Sequence, residues 1–194
     1  MRQVTVSTSI SAPRADVFDF VVDLAARPAY TDHYLEDFRL ARVNAVGLGA
    51  AARFKVRGQW AELTVREADR PRRIVEEIKV GRLGRNRSLA LYELSSEGGG
   101  LTRVELTTYS EPATIWDRLS EVGAAGWMRR NTKMALERLR MIFEEPPEEP
   151  LARASIAGFE PSKSARFGVQ TGMNPARDSS RRGMDPARRA GQSG

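Results

Sequence analysis

Six segments with alternating apolar and polar side chains fill residues 38–110, and turns containing glycine or proline separate them. Alternation with a period of two is typical of strands that bury one face. Because the connecting turns are short, neighbouring segments should pair antiparallel, as in a meander. We therefore predict strands at 38–44, 51–58, 60–67, 74–81, 88–95 and 101–110.

The N-terminal residues predict one further strand and two short helices. Residues 4–10 alternate in the same way, which indicates a first strand. Pro13 then suits the first turn of a helix, where its missing N–H group is harmless. The apolar stripe of that helix consists of Val17, Phe18, Val21, Val22 and Leu24. We expect Pro28 to end this helix, and residues 29–35 to form a short second helix or turn.

The last regular element is a long helix that follows Pro112 and extends to about Glu144. Its second half has apolar or small residues at helical spacing: Met128, Thr132, Ala135, Leu139 and Ile142. Its first half has a stripe of different phase, formed by Ile115, Leu119 and Val122. The phase changes at 123–126, where two glycines flank two alanines, and we expect a bend or a break there.

Most of the positive charge lies in a C-terminal tail. The chain has a formal net charge of +6, and residues 151–194 hold eight basic and three acidic residues, a balance of +5. The tail lacks periodicity and is rich in Gly, Pro, Ser, Ala and Arg, so it cannot bury enough apolar surface to offset its ordering entropy. We predict a folded domain over residues 1–145 and a disordered basic tail over 146–194.

Several classes of protein are excluded or disfavoured. The chain has no cysteine, which rules out disulfides, thiolate metal sites and cysteine nucleophiles. We expect no signal peptide and no membrane span, because no run approaches the roughly 18 apolar residues that a span needs; a cytoplasmic location is the default. The single histidine and the spacing of the carboxylates indicate no metal, and the sequence has no phosphate-binding loop, so we expect no cofactor.

The order strand, two helices, six strands and long helix resembles the helix-grip fold of the START/SRPBCC superfamily, and most closely its polyketide cyclase/dehydrase-like branch. The resemblance covers roughly residues 2–144. It is carried by Ile10-Ser-Ala-Pro13 leading into 17–23, by Pro28 and Tyr30, by Gly47-Leu-Gly49 before a strand, and by 135–139 in the closing helix.

This resemblance implies an α+β fold in which a curved antiparallel sheet of about seven strands wraps around the long C-terminal helix, with two short helices after the first strand. It also implies a cavity between sheet and helix for small apolar or aromatic molecules. Some members of the superfamily are cyclases, and many only bind or carry ligands, so the fold alone does not decide the activity.

Glu76 is the carboxylate of greatest interest. Its strand alternates so that Glu76 shares a face with Ile74 and Ile78, which would point it into the interior. Desolvation there would raise its pKa, as a cavity acid/base or a polar ligand anchor requires. The alternative is a register shift of one residue, with Val75 facing in and Glu76 facing out.

The other candidates are one histidine and five aromatic residues. His33 lies in the segment that borders the cavity mouth in the proteins this chain resembles, and it can be a general base oriented by Asp32 or Asp37, or simply a surface histidine. The aromatic residues can line a pocket or be ordinary core: Tyr30, Tyr34, Trp60, Tyr92 and Trp127.

We therefore expect the chain to bind or carry a small apolar or aromatic molecule, such as a lipid, polyketide or isoprenoid-like compound. One alternative is a cyclase or dehydratase that uses Glu76 or His33. Another is an interaction protein whose tail contacts RNA, acidic lipid or a partner protein through weak electrostatic contacts; the tail lacks the interleaved aromatics of a specific nucleic-acid surface. The sequence leaves the ligand and the oligomeric state open.

Overall fold

One antiparallel sheet of seven strands organises the chain in a computed structural model. The structure describes residues 2–81, 86–111, 115–145 and 147–156; for residues 2, 111 and 115–124 it describes the backbone alone. From the second strand to the seventh, strands that are consecutive in the chain pair with each other, and the first strand joins the seventh. This is the predicted helix-grip architecture, with short helices between the first and second strands and a long helix at the end.

The strands are β1 (Arg2–Ile10), β2 (Glu36–Leu40), β3 (Ala51–Val56), β4 (Gln59–Asp69), β5 (Arg73–Val80), β6 (Asn86–Glu97) and β7 (Leu101–Glu111). The helices are α1 (Arg14–Val22), a 3₁₀ helix (Leu24–Ala26), α2 (Pro28–Thr31) and α3 (Ile115–Glu144). All seven predicted strands are present. The largest shift is in β2, which ends at Leu40 rather than at residue 44.

The core lies between the inner face of the sheet and the helices. Period-two alternation produces this face; on β4, Ala61, Leu63 and Val65 are buried while Trp60 and Glu62 are exposed. The predicted stripe of α1 is buried against the same core. On α3, the buried residues Ala135, Leu136 and Leu139 occur at helical spacing and pack on this core.

Pro28 begins a helix rather than ending one, which corrects the expectation for this segment. Helix α1 ends at Val22 because Asp23 adopts an extended conformation, with a ψ of 100°. The Asp23 carboxylate then accepts a hydrogen bond from the Ala25 amide at 2.9 Å and caps the 3₁₀ helix. Asp is a strong N-cap residue, so a new helix start at this point is favoured.

Of the bend or break expected at 123–126, no break is found in the backbone. The backbone of α3 is helical from Ile115 to Glu144 without interruption. A glycine inside a helix costs only about 1 kcal/mol relative to alanine, and the two alanines between the glycines favour the helix. The side chains of Ile115, Leu119 and Val122 lie outside the described residues.

Residues 151–156, which belong to the predicted tail, lie against the described part of the domain. The Ala154 amide donates to the Ala25 carbonyl at 2.8 Å, and the Leu40 amide donates to the Ser155 carbonyl at 2.9 Å. Ile156 forms an isolated parallel bridge with Leu40, the last residue of the edge strand β2. The rest of the predicted tail, residues 157–194, lies outside the described residues.

No helix in the described part of the chain is long and apolar enough to cross a membrane.

Burial of α3 against the sheet predicts that truncating side chains at two positions half a helical turn apart will change stability by very different amounts. Leu139 is fully buried and Met141 is half exposed. Leu139→Ala should lower the free energy of unfolding by about 2–5 kcal/mol, and Met141→Ala by less than about 0.5 kcal/mol. Urea unfolding measures both; equal effects would contradict the packing of α3.

Candidate functional site

A buried ion pair joins the helical segment to the sheet. Glu76 lies on the inner face of β5 and is 1% exposed, and Arg27, between the 3₁₀ helix and α2, is 3% exposed. Arg27 Nη2 donates to Glu76 Oε1, and Arg27 Nη1 lies 3.4 Å from Glu76 Oε2. The inward position of Glu76 is the one that the strand alternation predicts; its role in binding or catalysis stays a prediction.

Arg27 also contacts two tyrosines, Tyr92 and Tyr30. Its Nη1 donates to the Tyr92 hydroxyl at 2.6 Å, and its Nη2 donates to the Val21 carbonyl at 3.2 Å. The guanidinium carbon lies 5.4 Å from the ring centre of Tyr92 and 5.5 Å from that of Tyr30. We call Arg27, Tyr30, Glu76 and Tyr92 the buried polar cluster; all four are nearly inaccessible to water.

Burial and charge set the protonation of the cluster. Burial raises the pKa of Glu76, and the opposing charge of Arg27 only partly offsets this effect. Burial alone would lower the pKa of Arg27, but the Glu76 charge and the two tyrosines outweigh it, so that pKa is raised. Burial also raises the pKa values of Tyr30 and Tyr92. The tyrosine hydroxyls therefore stay protonated at neutral pH and can donate hydrogen bonds.

Two donors of the cluster have no hydrogen-bond acceptor among the described residues. Arg27 Nε and the Tyr30 hydroxyl are buried, and neither makes a hydrogen bond with the described residues. The Tyr30 hydroxyl lies close to that of Tyr92, but the geometry is not that of a hydrogen bond. An unpaired buried polar group costs about 1–3 kcal/mol, so two on neighbouring residues require an explanation.

Tyr34 and Trp127 meet beside the cluster. Their ring centres are 6.0 Å apart in an edge-to-face arrangement, and the Arg57 guanidinium carbon lies 5.7 Å from the Trp127 ring centre. Burial raises the pKa of Tyr34 to about 12, and the charges of Arg27 and Glu76 also act on it. These two aromatic candidates therefore lie together, near the buried polar cluster.

His33 is engaged at both ring nitrogens. Nε2 lies 3.1 Å from the Asn131 carbonyl, which only accepts, so Nε2 carries the proton; Nδ1 lies 3.3 Å from Arg138 Nη1 and accepts. Burial lowers the pKa of His33, and the Arg138 charge acts in the same direction. The carboxylates considered as orienting groups pair elsewhere: Asp32 with Arg138 and Asp37 with Lys55.

Trp60 lies apart from the other candidates. It is 46% exposed on the outer face of the sheet, and its ring lies 5.5 Å from the Arg53 guanidinium carbon and 5.0 Å from Lys55 Nζ. The cause is the alternation of side chains along β4: Ala61 faces the core, so its neighbours Trp60 and Glu62 lie on the opposite face. The same alternation, read from the sequence, would have separated Trp60 from the pocket candidates.

Arg27 is the residue that sequence reasoning missed. One signal was available, because a glutamate directed into an apolar interior needs an opposite charge. Arg27 directly follows Leu24–Ala26, which are buried, so its charged side chain starts from an apolar segment. Nothing in the spacing identifies it as the partner, however, because the two residues are 49 positions apart.

The buried ion pair predicts a double-mutant pattern in stability. Glu76→Gln should lower the free energy of unfolding by about 3–5 kcal/mol, because the Arg27 charge is left unpaired, and replacing both residues (R27M/E76L) should recover much of that loss. Glu77→Gln is the matched control, since Glu77 pairs with the exposed Arg66 and should cost at most about 1 kcal/mol. A double variant less stable than E76Q in urea unfolding would contradict the account.

The contact between His33 and Arg138 predicts a shift in titration. Because the Arg138 charge lowers the pKa of His33, Arg138→Gln should raise that pKa towards or above its ordinary value of 6.5. The chain has a single histidine, so one pair of imidazole NMR signals reports the change. Lys133→Gln, an exposed position on the same helix, is the control. An equal shift in both variants, or none, would contradict the assigned contact.

Comparison with known proteins identifies a family that the chain matches. A family model described as polyketide cyclase / dehydrase and lipid transport matches residues 1–144. Comparison with curated proteins finds no match.

Three solved structures illustrate the likeness in fold. A hypothetical protein from Helicobacter pylori is 11% identical, with 73% of this chain and 88% of that chain covered and a TM-score of 0.62. KanY is 19% identical, with 74% and 99% covered and a TM-score of 0.58. DynU16, a protein in the dynemicin biosynthetic locus, is 15% identical, with 74% and 47% covered and a TM-score of 0.54. At these identities the likeness concerns the fold alone.

The matched residues run from β1 to α3 and contain the whole buried polar cluster. The chain belongs to the polyketide cyclase/dehydrase and lipid transport family.

Proposed function

We propose that the chain binds a small apolar or aromatic molecule in its interior, and that the buried polar cluster anchors a hydrogen-bond acceptor of that molecule. The observation that carries the proposal is the pair of unpartnered buried donors, Arg27 Nε and the Tyr30 hydroxyl. A carbonyl or carboxylate oxygen can accept from both groups. Membership of the family supports ligand binding or cyclase-type function in general.

The surroundings of the cluster favour an apolar ligand body. Tyr30 and Tyr92 belong to the same apolar core as Ile74 and Leu106. The ring centre of Phe20 lies 6.1 Å from that of Tyr30. Tyr34 and Trp127 would supply flat aromatic surface to the same ligand. The mechanism is sequestration: the apolar body leaves water, and one or two polar groups fix its orientation. The enclosing cavity is part of this proposal, and Trp60 is not part of the ligand set because it faces solvent.

A cyclase or dehydratase is the second candidate, and the contacts favour it less. A general base needs a free basic group at the reacting atom. Both oxygens of Glu76 lie against the Arg27 guanidinium, so its charge is used to balance Arg27. His33 has both nitrogens engaged, and neither Asp32 nor Asp37 orients it. The cluster is thus better equipped to donate hydrogen bonds than to transfer protons.

Removal of one hydroxyl tests the anchor. Because the Tyr30 hydroxyl makes no hydrogen bond within the described part of the chain, Tyr30→Phe should leave the free energy of unfolding unchanged or slightly raised. Wild-type protein should bind 2-acetylnaphthalene about five- to tenfold more tightly than 2-isopropenylnaphthalene, in which a CH2 group replaces the carbonyl oxygen, and the variant should lose this preference. Titrations followed by tryptophan fluorescence or calorimetry measure both affinities.

The control is Tyr109→Phe, a hydroxyl deletion on β7 outside the cluster, which should keep the preference. If wild-type protein binds neither compound, or if Y30F retains the preference for the ketone, the proposed anchor is wrong. If binding is normal but bound ketone is converted to a new product, the enzymatic candidate replaces simple binding.

A further inference from the structure

Residues 151–156, which we call the C-terminal strap, lie beyond the residues that the family model matches. They nevertheless contact the domain. Leu151, Ala154 and Ile156 are half-buried, and Ala154 and Ile156 pack against the core. The strap therefore lies outside the matched part of the chain, and its contacts indicate what it contributes.

The strap hydrogen-bonds to two elements that also approach each other directly, the 3₁₀ helix and β2. On one side, the Ala154 amide donates to the carbonyl of Ala25 in the 3₁₀ helix at 2.8 Å. On the other, the Ser155 carbonyl accepts from the Leu40 amide at 2.9 Å, at the free edge of β2. The strap thus ties the 3₁₀ helix to the edge of the sheet.

Asp23 connects the strap to the helix cap. One carboxylate oxygen, Oδ1, accepts from the Ala25 amide at 2.9 Å, and the other, Oδ2, accepts from Arg153 Nη2 at 2.7 Å. Asp23 is 18% exposed and Arg153 is 61% exposed. Because one carboxylate serves both contacts, Arg153 holds Asp23 in the orientation that caps the 3₁₀ helix.

Arg27 follows this helix directly. Its amide donates to the Leu24 carbonyl at 3.3 Å and closes the last turn. Its side chain must then reach Glu76 and Tyr92 in the interior. A binding constellation has to be held within about 0.5 Å of its productive geometry, so the position of the 3₁₀ helix determines whether the guanidinium meets its partners.

We infer that the C-terminal strap is a positioning element for the ligand site: it holds the 3₁₀ helix against β2 and so fixes Arg27 in the buried polar cluster. Arg153 and Asp23 are positioning residues, and neither touches the ligand. The effect on ligand affinity rests on the proposed function, whereas the effect on the 3₁₀ helix does not.

The test is a matched pair of proline substitutions in the full chain. Ala154→Pro removes the amide that donates to Ala25, whereas Ala152→Pro changes an exposed strap residue whose amide makes no described hydrogen bond. Amide hydrogen exchange of Leu24, Ala25, Ala26 and Arg27 should be about tenfold or more faster in A154P and unchanged in A152P. Exchange in β6 and β7 should not change in either variant, and affinity for 2-acetylnaphthalene should fall severalfold in A154P alone.

A second pair covers the possibility that A154P fails to fold. Arg153→Gln removes the contact to Asp23. Arg70→Gln changes an arginine of similar exposure and removes its bidentate pair with Asp19, at 2.7 and 2.8 Å. The same local increase in exchange is expected in R153Q and not in R70Q.

The possible outcomes separate the two proposals. Unchanged exchange of Leu24–Ala26 and Arg27 in both A154P and R153Q overturns the strap inference, and so does an increase spread over the whole sheet. Local loosening with unchanged affinity for 2-acetylnaphthalene overturns the link to the ligand site. If wild-type protein binds no ligand, the proposed function fails, while the exchange data still decide whether the strap positions Arg27.

Discussion

The ion pair between Arg27 and Glu76 is the contact on which the interior depends. Two charges removed from water are tolerated only when each is paired and hydrogen-bonded. Glu76 is supplied by a central strand, and Arg27 by the junction between two short helices. The pair therefore requires a fixed position of the helical segment relative to the sheet, and a well-packed apolar pair would not impose that requirement as strictly.

The ion pair also determines what chemistry the interior can offer. Arg27 uses both terminal nitrogens on Glu76, Tyr92 and the Val21 carbonyl, so its Nε remains as a donor. Burial keeps the Tyr30 hydroxyl protonated beside it. The result is a pair of hydrogen-bond donors in apolar surroundings, and neither of the two candidate bases, Glu76 and His33, is free. Such a site suits recognition of an acceptor oxygen on an apolar molecule better than proton transfer.

Sequence reasoning reached the features that depend on local pattern and missed those that depend on distant pairing. Alternation and turn residues predicted the strands, and the alternation along β5 placed Glu76 on the inner face. The alternation along β4 would likewise have placed Trp60 on the outer face. The partnership of Arg27 with Glu76 depends on how the chain returns between α1 and β2, which no spacing encodes. The contacts of the strap were not predicted, because six residues are too few to show periodicity. Its hydrogen bonds are also made by the backbone, so they do not depend on particular side chains.

A high-resolution crystal structure of the protein purified from its own host tests the central claim most directly. The account predicts electron density for a bound organic molecule, with an oxygen within hydrogen-bonding distance of both Arg27 Nε and the Tyr30 hydroxyl and an apolar body extending towards Tyr34 and Trp127. A single ordered water molecule bridging the two donors, with side chains closed around it, would contradict the account. In that case the cluster would be a satisfied structural network, and the ligand site would have to lie elsewhere.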